Sequence, residues 1–274
     1  MNKNGILITN KPVGMSSFQM CSKVKRELGE KKVGHIGTLD PLASGVLPIL
    51  VGKATKFSEF LVDHDKEYIA EIQLGFKTET GDREGNIIEE KPVKKYSENE
   101  IKRVLESFLG ETLQVPPMYS ALKLNGKKLY ELAREGKTVE RKPRPIIIDS
   151  IELISYDDSK NLICFKVNCS RGTYIRVLSE DIAEKLGTCG YMNSLVRTRV
   201  GNYYLEDENK FIEMENILDL EKIDIDGSTL KKILNGVRVN WESEDKLVSI
   251  YTNNEFKGVG YIKNNILKRK IMLD

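Results

Sequence analysis

Asp40 has the clearest chemical potential in this sequence, because it lies in a glycine-rich segment. Residues 34–48 read GHIGTLDPLASGVLP, and the three glycines allow tight turns and a close approach of the backbone to a ligand. Pro41 biases Asp40 towards an extended conformation, which could present the carboxylate to a cleft. A carboxylate placed in this way can act as a nucleophile or a base without a cofactor. An Asp-Pro pair is also typical of an ordinary turn, so the dipeptide alone leaves both interpretations open.

Helices must help to position this loop, and the spacing of apolar residues indicates where they lie. The serine pair at 16–17 precedes apolar residues that repeat every four positions, which predicts a capped helix ending at Gly29. An S-x-x-E capping box at 97–100 predicts a second helix, closed by Gly110. Apolar residues at helical spacing predict a third helix over 175–186.

The strand pattern predicts an α+β chain. Apolar and polar residues alternate from Tyr68 to residue 74, which indicates a half-buried strand, and segments 145–155 and 162–169 are rich in β-forming residues around a turn. Residues 30–53 contain four glycines and two prolines, which predict a shaped loop with short strands rather than a long regular element. The pattern of residues in the C-terminal part of the chain predicts a few short strands between turns. No regular βαβ alternation is present, so a doubly wound sheet is not expected.

The bulk composition is that of an ordinary soluble globular chain. Of the 274 residues, 40% are hydrophobic and 31% are charged, and the length fits one main domain with a small appendage. No apolar run approaches the roughly 18 residues of a membrane helix, and no secretory signal is evident, so we expect a cytoplasmic protein without membrane contact. The four cysteines form no Cys-x-x-Cys pair and only two histidines are present, so we expect no metal site.

The net charge of +2 hides two segments of opposite charge. Residues 120–145 contain eight basic and three acidic side chains, whereas residues 206–226 contain nine acidic and two basic ones. A local basic patch can neutralise phosphates and so bind nucleic acid. A solvated surface helix would have the same composition, so charge alone leaves both interpretations open.

The segment around Asp40 resembles the catalytic motif of the bacterial tRNA pseudouridine-55 synthases of the TruB type, G-H-x-G-T-L-D-P-x-A-x-G-V-L. Further segments resemble other motifs of that family, in the family's order: 10–17 (NKPVGMSS), 66–68 (KEY), 78–85 (TETGDREG), 116–121 (PPMYSA), 127–134 (KKLYELAR) and 169–176 (CSRGTYIR). The chain departs from the pattern at Ser44, where threonine is commoner, and at Val196, where an arginine is common.

The resemblance implies a role for each matching residue in the reaction. Asp40 would be the essential carboxylate, and Arg176 would pair with it and keep it ionised. Tyr68 would stack on the target uracil and take the proton from its C5 atom at the end of the reaction. Tyr174 and Leu195 would form the remaining walls of the pocket.

The resemblance also implies residues that support the loop or bind RNA. Lys11 and Pro12 would support the catalytic loop, and His35 would occupy the place that the flipped base leaves. The basic segment would grip the T arm of tRNA through side chains that include Lys123, Lys127, Lys128 and Arg141.

The fold implied by the resemblance is α+β. Residues 1–225 would form a pseudouridine synthase catalytic domain with a mixed, mostly antiparallel sheet flanked by helices, and a basic RNA-binding insertion at about 115–145. Residues 226–274 would form a small, β-rich PUA-like domain. The reaction would be the isomerisation of uridine 55 in the T loop of tRNA, with no cofactor and no guide RNA, by a monomer.

Three other functions remain compatible with parts of the sequence. A non-catalytic RNA-binding or tRNA-folding protein would need the basic segment but not Asp40. A guide-RNA-dependent pseudouridylase would need partners, although the insertion favours the stand-alone bacterial type. An isomerase of free nucleosides would leave the basic segment unexplained.

Overall fold

The computed structural model describes residues 4–61, 64–124 and 126–273. The α-helices of this part are α1 (Ser17–Leu28), α2 (Ser58–Leu61), α3 (Glu98–Glu106), α4 (Leu129–Arg134), α5 (Ile175–Lys185) and α6 (Gly227–Leu234). The strands are β1 (Gly5–Lys11), β2 (Val33–His35), β3 (Ser44–Val51), β4 (Lys66–Leu74), β5 (Phe76–Thr78), β6 (Ile87–Glu90), β7 (Gly110–Gln114), β8 (Lys123–Leu124), β9 (Lys127–Lys128), β10 (Arg144–Asp157), β11 (Leu162–Cys169), β12 (Gly190–Val200), β13 (Tyr203–Tyr204), β14 (Phe211–Glu213), β15 (Glu221–Asp224), β16 (Val239–Asn240), β17 (Lys246–Thr252), β18 (Glu255–Lys263) and β19 (Ile266–Met272).

A ten-stranded sheet forms the body of the molecule. Its strand order is β14-β1-β3-β12-β4-β11-β10-β7, with β13 paired to β12 and β2 paired to β3. Among the described strand pairs of this sheet, only that of β3 with β12 is parallel, so the prediction of a mixed, mostly antiparallel sheet is confirmed. Helices α1, α3 and α5 contribute buried residues to the large core cluster on this sheet. The cluster buries apolar side chains in alternation along β4 and β11.

Strand β3 corrects the prediction for residues 30–53, because its eight residues form a regular strand despite a glycine and a proline. Pro48 lies opposite Ile8 of β1, and its carbonyl accepts the N–H of Ile36 at 3.0 Å. Gly45 has a φ of 110°, and a Cβ atom there would lie 2.1 Å from the carbonyl oxygen of Arg197. The glycine is therefore what allows the parallel contact between β3 and β12.

The predicted helices occur with small differences at their ends. The capping box at 97–100 is present, but α3 ends at the Ser107 cap rather than at Gly110, which begins β7. Helix α1 begins after the Ser16 cap and ends at Gly29, whose φ of 65° is typical of a helix C-terminus. Helix α1 therefore follows its local sequence signals at both ends.

A second, five-stranded sheet has the order β15-β17-β18-β19-β16, and α6 packs on it through Leu230 and Ile233. The tail strands predicted from the sequence are present, but β15 and α6 were not predicted. Strand β15 lies before residue 226, where the sequence placed the start of the small domain. Val259 and Leu273 of this region join a core cluster with Ile6 and Phe57. Within the described ranges, no helix is long and apolar enough to cross a membrane.

We predict that Gly45→Ala destabilises the fold by about 3 kcal/mol or more, because the new Cβ atom would meet backbone rather than a flexible side chain. Gly227→Ala is the matched control, since a Cβ atom there meets nothing within 4 Å. Urea unfolding followed by circular dichroism measures both changes. Equal unfolding midpoints for the two variants would contradict the prediction.

Candidate active site

A cavity of about 700 Å³ opens beside the loop that contains Asp40. A volume of this size accommodates a nucleotide-sized group. Five of the predicted site residues line it together, although they come from distant parts of the chain: Asp40, Tyr68, Tyr174, Arg176 and Leu195. The cavity is therefore the place where the structure assembles the residues selected from the sequence.

The carboxylate of Asp40 is paired with Arg176, as expected. The distance from Arg176 Nη2 to Asp40 Oδ2 is 3.1 Å, and 43% of the Asp40 side chain is exposed against 8% of that of Arg176. Helix α5 carries the guanidinium in its first turn, two residues after its N-cap residue Tyr174. The acid thus faces the cavity while the cation that holds it is enclosed by protein.

Arg176 contacts three further groups, which fix the plane of its guanidinium. It donates to the carbonyl of Thr80 at 3.1 Å and to that of Tyr119 at 2.6 Å. Its Nη1 also lies 3.5 Å from the carboxylate of Asp82, a side chain that is only 9% exposed. A guanidinium bound on several sides can orient a carboxylate closely. Asp82 was not selected from the sequence, although it lies within the 78–85 motif.

The walls of the cavity are aromatic and aliphatic. Tyr68 and Leu195 are each only 7% exposed, and they lie on the neighbouring strands β4 and β12. Burial raises the pKa of the Tyr68 phenol to about 12, so the hydroxyl is neutral at physiological pH. Tyr174 also lines the cavity. Its backbone N–H donates to Gln114 Oε1 at 2.7 Å, which connects Tyr174 to the end of β7.

The catalytic loop, which we define as residues 37–43, is bound on one side by Lys11. The Lys11 ammonium donates to the carbonyls of Ala43 at 2.5 Å, Met15 at 2.6 Å and Pro12 at 3.0 Å, and it lies 3.5 Å from that of Pro41. The residue has no exposed surface, whereas the side chain of Pro12 is exposed. Lys11 therefore supports the loop from behind and does not face the cavity.

Arg197 binds the first residues of the same loop and was not selected from the sequence. Its guanidinium donates to the carbonyls of Gly37 at 3.0 Å, Thr38 at 3.4 Å and Val46 at 2.8 Å. Lys66, two residues before Tyr68, also lines the cavity. Residues two apart in a strand share a face. Arg197 is two residues after Leu195 and Lys66 is two residues before Tyr68, so both cations could have been identified from those selected residues.

The remaining predicted residues do not line the cavity. His35 is on β2, and its Nδ1 atom is buried without a hydrogen-bond partner in the described part of the chain. Burial, and secondly the charge of Arg197, lower the pKa of His35, so its imidazole is neutral at pH 7. A neutral ring suits the place of the flipped base, which the family resemblance implies for His35.

The basic insertion connects β7 to β10 and contains β8, β9 and α4. The Lys127 ammonium lies 3.9 Å from Glu135, and the Lys128 ammonium lies over the Tyr130 ring, 5.3 Å from its centre. Arg141 donates to the carbonyl of Pro116 at 3.1 Å, which joins the two ends of the insertion. The side chain of Lys123 lies outside the described residues.

No group of three or more His, Cys, Asp or Glu side chains suitable for a metal ion occurs among the residues that the structure describes. The groups that line the cavity include a carboxylate paired with an arginine, a neutral phenol and further cations.

We predict that wild-type protein gains stability relative to Lys11→Met as the pH rises from 8 to 10. Burial lowers the pKa of Lys11 from 10.5 to about 8. In that window the unfolded chain binds more protons at this position than the folded chain does, so the stability contribution of Lys11 increases with pH. Urea unfolding at several pH values measures the difference. Lys31→Met, a change at an exposed lysine, is the matched control. A difference between wild type and Lys11→Met that stays constant over this window would contradict the prediction.

Two family models match the chain. The model of the N-terminal domain of TruB family pseudouridylate synthases matches residues 25–175, and that of the tRNA pseudouridylate synthase B C-terminal domain matches residues 176–239. The tRNA pseudouridine synthase B of Clostridium kluyveri is 44% identical over 95% of this chain and 96% of its own length. The protein of the same name from Caldanaerobacter subterraneus is 40% identical over 98% of this chain and 99% of its own length.

Solved structures share the fold. A Cbf5-Nop10-Gar1 complex contains a chain that superposes with a TM-score of 0.68 at 26% identity, covering 95% of this chain and 78% of that one. An H/ACA RNP bound to a substrate RNA gives a TM-score of 0.70 at 22% identity, covering 100% and 86%, and at that identity it shows the fold alone. Together with the near full-length sequence matches, the two family models establish that this chain belongs to the TruB family of pseudouridylate synthases.

Proposed function

We propose that this protein isomerises uridine 55 in the T loop of tRNA to pseudouridine, with Asp40 as the essential carboxylate. The observation that carries the proposal is the placement of Asp40 at the cavity, paired with the enclosed Arg176 and facing the walls formed by Tyr68 and Leu195. The relatives named tRNA pseudouridine synthase B, which match over nearly the whole chain, support pseudouridine formation in tRNA.

The reaction breaks the bond between ribose C1′ and uracil N1, turns the base, and joins C1′ to C5. It transfers no group to another molecule and involves no redox change, so the residues of this chain can supply the chemistry without a cofactor. An ionised Asp40 can attack C1′, add to C6 or remove a proton from C2′. All three routes require the same charged oxygen against the nucleotide, which the ion pair with Arg176 provides.

The target base must leave its stack in the folded T loop to reach Asp40. Such flipping costs a few kcal/mol, which contacts with the enzyme must offset. Tyr68 offers an aromatic face for the uracil, with Tyr174 and Leu195 as the neighbouring walls. His35, beside the catalytic loop, is the residue that we assign to the place vacated in the tRNA.

We assign binding of the T arm to the insertion at about 115–145 and to the small PUA-like domain. The carbonyl of Tyr119, at the base of the insertion, accepts from Arg176. Residues 120–122 also line the cavity. The insertion thus connects RNA contacts to the reacting groups. We further propose that the protein acts in the cytoplasm as a monomer without guide RNA, since a single chain supplies all the groups assigned to the site.

We predict that Asp40→Asn abolishes pseudouridine formation while tRNA affinity is retained, because the amide keeps the size of the side chain but cannot act as a charged nucleophile or base. Purified protein is incubated with an unmodified tRNA transcript, pseudouridine is mapped by mass spectrometry, and binding is measured by filter retention.

The outcomes distinguish the competing functions. Wild-type protein that leaves the T loop unmodified would overturn the proposal. Binding without any reaction would favour a non-catalytic tRNA-binding protein, a need for added guide RNA would favour the guided type, and reaction with free uridine alone would favour a nucleoside isomerase.

We predict that the double variant Lys127→Ala, Lys128→Ala binds tRNA more weakly and with a smaller salt dependence. Each lost phosphate contact reduces the slope of log affinity against log salt by about 1. Lys102→Ala is the matched control, because Lys102 is a surface lysine of α3 paired with Glu98 at 3.3 Å. Equal salt slopes for the double variant and the control would contradict a role of the insertion in tRNA binding.

A further inference from the structure

Arg197 is a fully buried cation whose partners are unusual. Its side chain has no exposed surface and is among the largest fully buried side chains. Three of its N–H groups donate to the carbonyls of Gly37, Thr38 and Val46. Among the described residues, no carboxylate lies within ion-pair distance of its guanidinium. Burying a charge without a counterion is costly, so this arginine requires an explanation beyond packing.

The strand register places Arg197 directly against Tyr68. The two residues are opposite each other in the antiparallel pairing of β12 with β4. Directly opposed residues point to the same face, and both line the cavity. The positive charge of Arg197 acts to lower the pKa of the Tyr68 phenol, against the larger effect of burial, as a neighbouring cation does. One side chain therefore binds the catalytic loop and lies on the neighbouring strand, directly opposite the residue that we assign to the uracil.

We propose that Arg197 is a positioning residue for Tyr68, which fixes the phenol hydroxyl and stabilises negative charge on its oxygen while the C5 proton is removed. The inference rests on the proposed function and extends it from Asp40 to the last step of the reaction. Because an N–H of a guanidinium can only donate, it orients the phenol oxygen as an acceptor and turns the hydroxyl proton towards the cavity.

The proton transfer balances without another reactant. After C1′ has joined C5, the base has a C5–H bond and a double bond between N1 and C6. The C5–H electron pair forms the C5–C6 double bond, and the electrons of the N1–C6 double bond take up a proton at N1. Tyr68 passes its hydroxyl proton to N1 and receives the proton from C5, so the phenol ends neutral.

Arg197 favours a sequence of steps in which Tyr68 gives its hydroxyl proton to N1 before it takes the proton from C5. Burial raises the pKa of the Tyr68 phenol to about 12, whereas the charge of Arg197 acts in the opposite direction. A phenol that loses its proton inside a cavity develops negative charge on oxygen, and a donor already in place stabilises that charge without reorganisation. The guanidinium keeps its own protons throughout.

The alternative is that Arg197 only holds the catalytic loop. Lys11 provides the matched control, because it binds carbonyls at the other end of the same loop, those of Pro41 and Ala43. Lys11 lies on β1, which pairs with β3 and β14, whereas Tyr68 lies on β4, opposite Arg197 of β12. Loss of loop support should slow every step in both variants, whereas loss of the phenol contact should slow removal of the C5 proton in Arg197 variants alone.

The test compares Arg197→Met, Arg197→Lys and Lys11→Met in single-turnover reactions on tRNA that contains either uridine or 5-deuterouridine at the target position. We expect Arg197→Met to lose about 100-fold in rate, the scale of a misplaced proton-transfer group, with unchanged tRNA affinity. A primary isotope effect should appear in both Arg197 variants and be absent in wild type and Lys11→Met. Arg197 variants without an isotope effect, or an equal effect in Lys11→Met, would overturn the inference.

A rescue experiment keeps the inference testable if Arg197→Met does not fold. In Arg197→Lys, 3,5-difluorotyrosine at position 68 should restore part of the rate, because a more acidic phenol needs less stabilisation. The same replacement should not help Lys11→Met, and absence of rescue in Arg197→Lys would count against the inference. A wild type that forms no pseudouridine would instead overturn the proposed function itself, so the two failures are distinguishable.

Discussion

The enclosed guanidinium of Arg176 is the constraint on which the site depends. Its partners come from three other segments: Asp40 from the catalytic loop, Thr80 and Asp82 from the 78–85 loop, and Tyr119 from the insertion. A buried cation costs several kcal/mol unless it is paired and hydrogen-bonded. These segments must therefore meet at one point for the fold to be stable, and that point is the edge of the cavity.

The two carboxylates on Arg176 have different surroundings, and the difference suits catalysis. The Asp82 side chain is only 9% exposed, and Asp82 accepts hydrogen bonds from Thr80 and from the N–H of Glu84. Asp40 is 43% exposed. Because Asp82 and the carbonyls continue to compensate the guanidinium, Asp40 can shift towards a nucleotide without leaving a buried charge unpaired.

The sequence predicted those elements whose formation depends on residues that are close together in the chain. The caps of α1 and α3, the alternation along β4 and the glycine-framed Asp40 loop were readable because each depends on a few neighbouring residues. Strand β3 was missed because its glycine and proline are tolerated only through contacts with β12 and β1. Arg197 was missed for the same reason, since its importance follows from the pairing of distant strands. The family resemblance supplied roles for Asp40 and Arg176 that spacing alone left open.

The choice of carbonyl partners for Lys11 and Arg197 has an electrostatic consequence. Carbonyls satisfy N–H donors but add no negative charge, so both cations hold the catalytic loop while their positive field persists around it. Carboxylate partners would hold the loop equally well but would cancel that field. In the route through C1′, uracil departs from ribose with the bonding electron pair and becomes negatively charged inside the cavity. A fixed positive surround stabilises that charge as it develops, so the same contacts that shape the loop also favour the bond cleavage that the reaction requires.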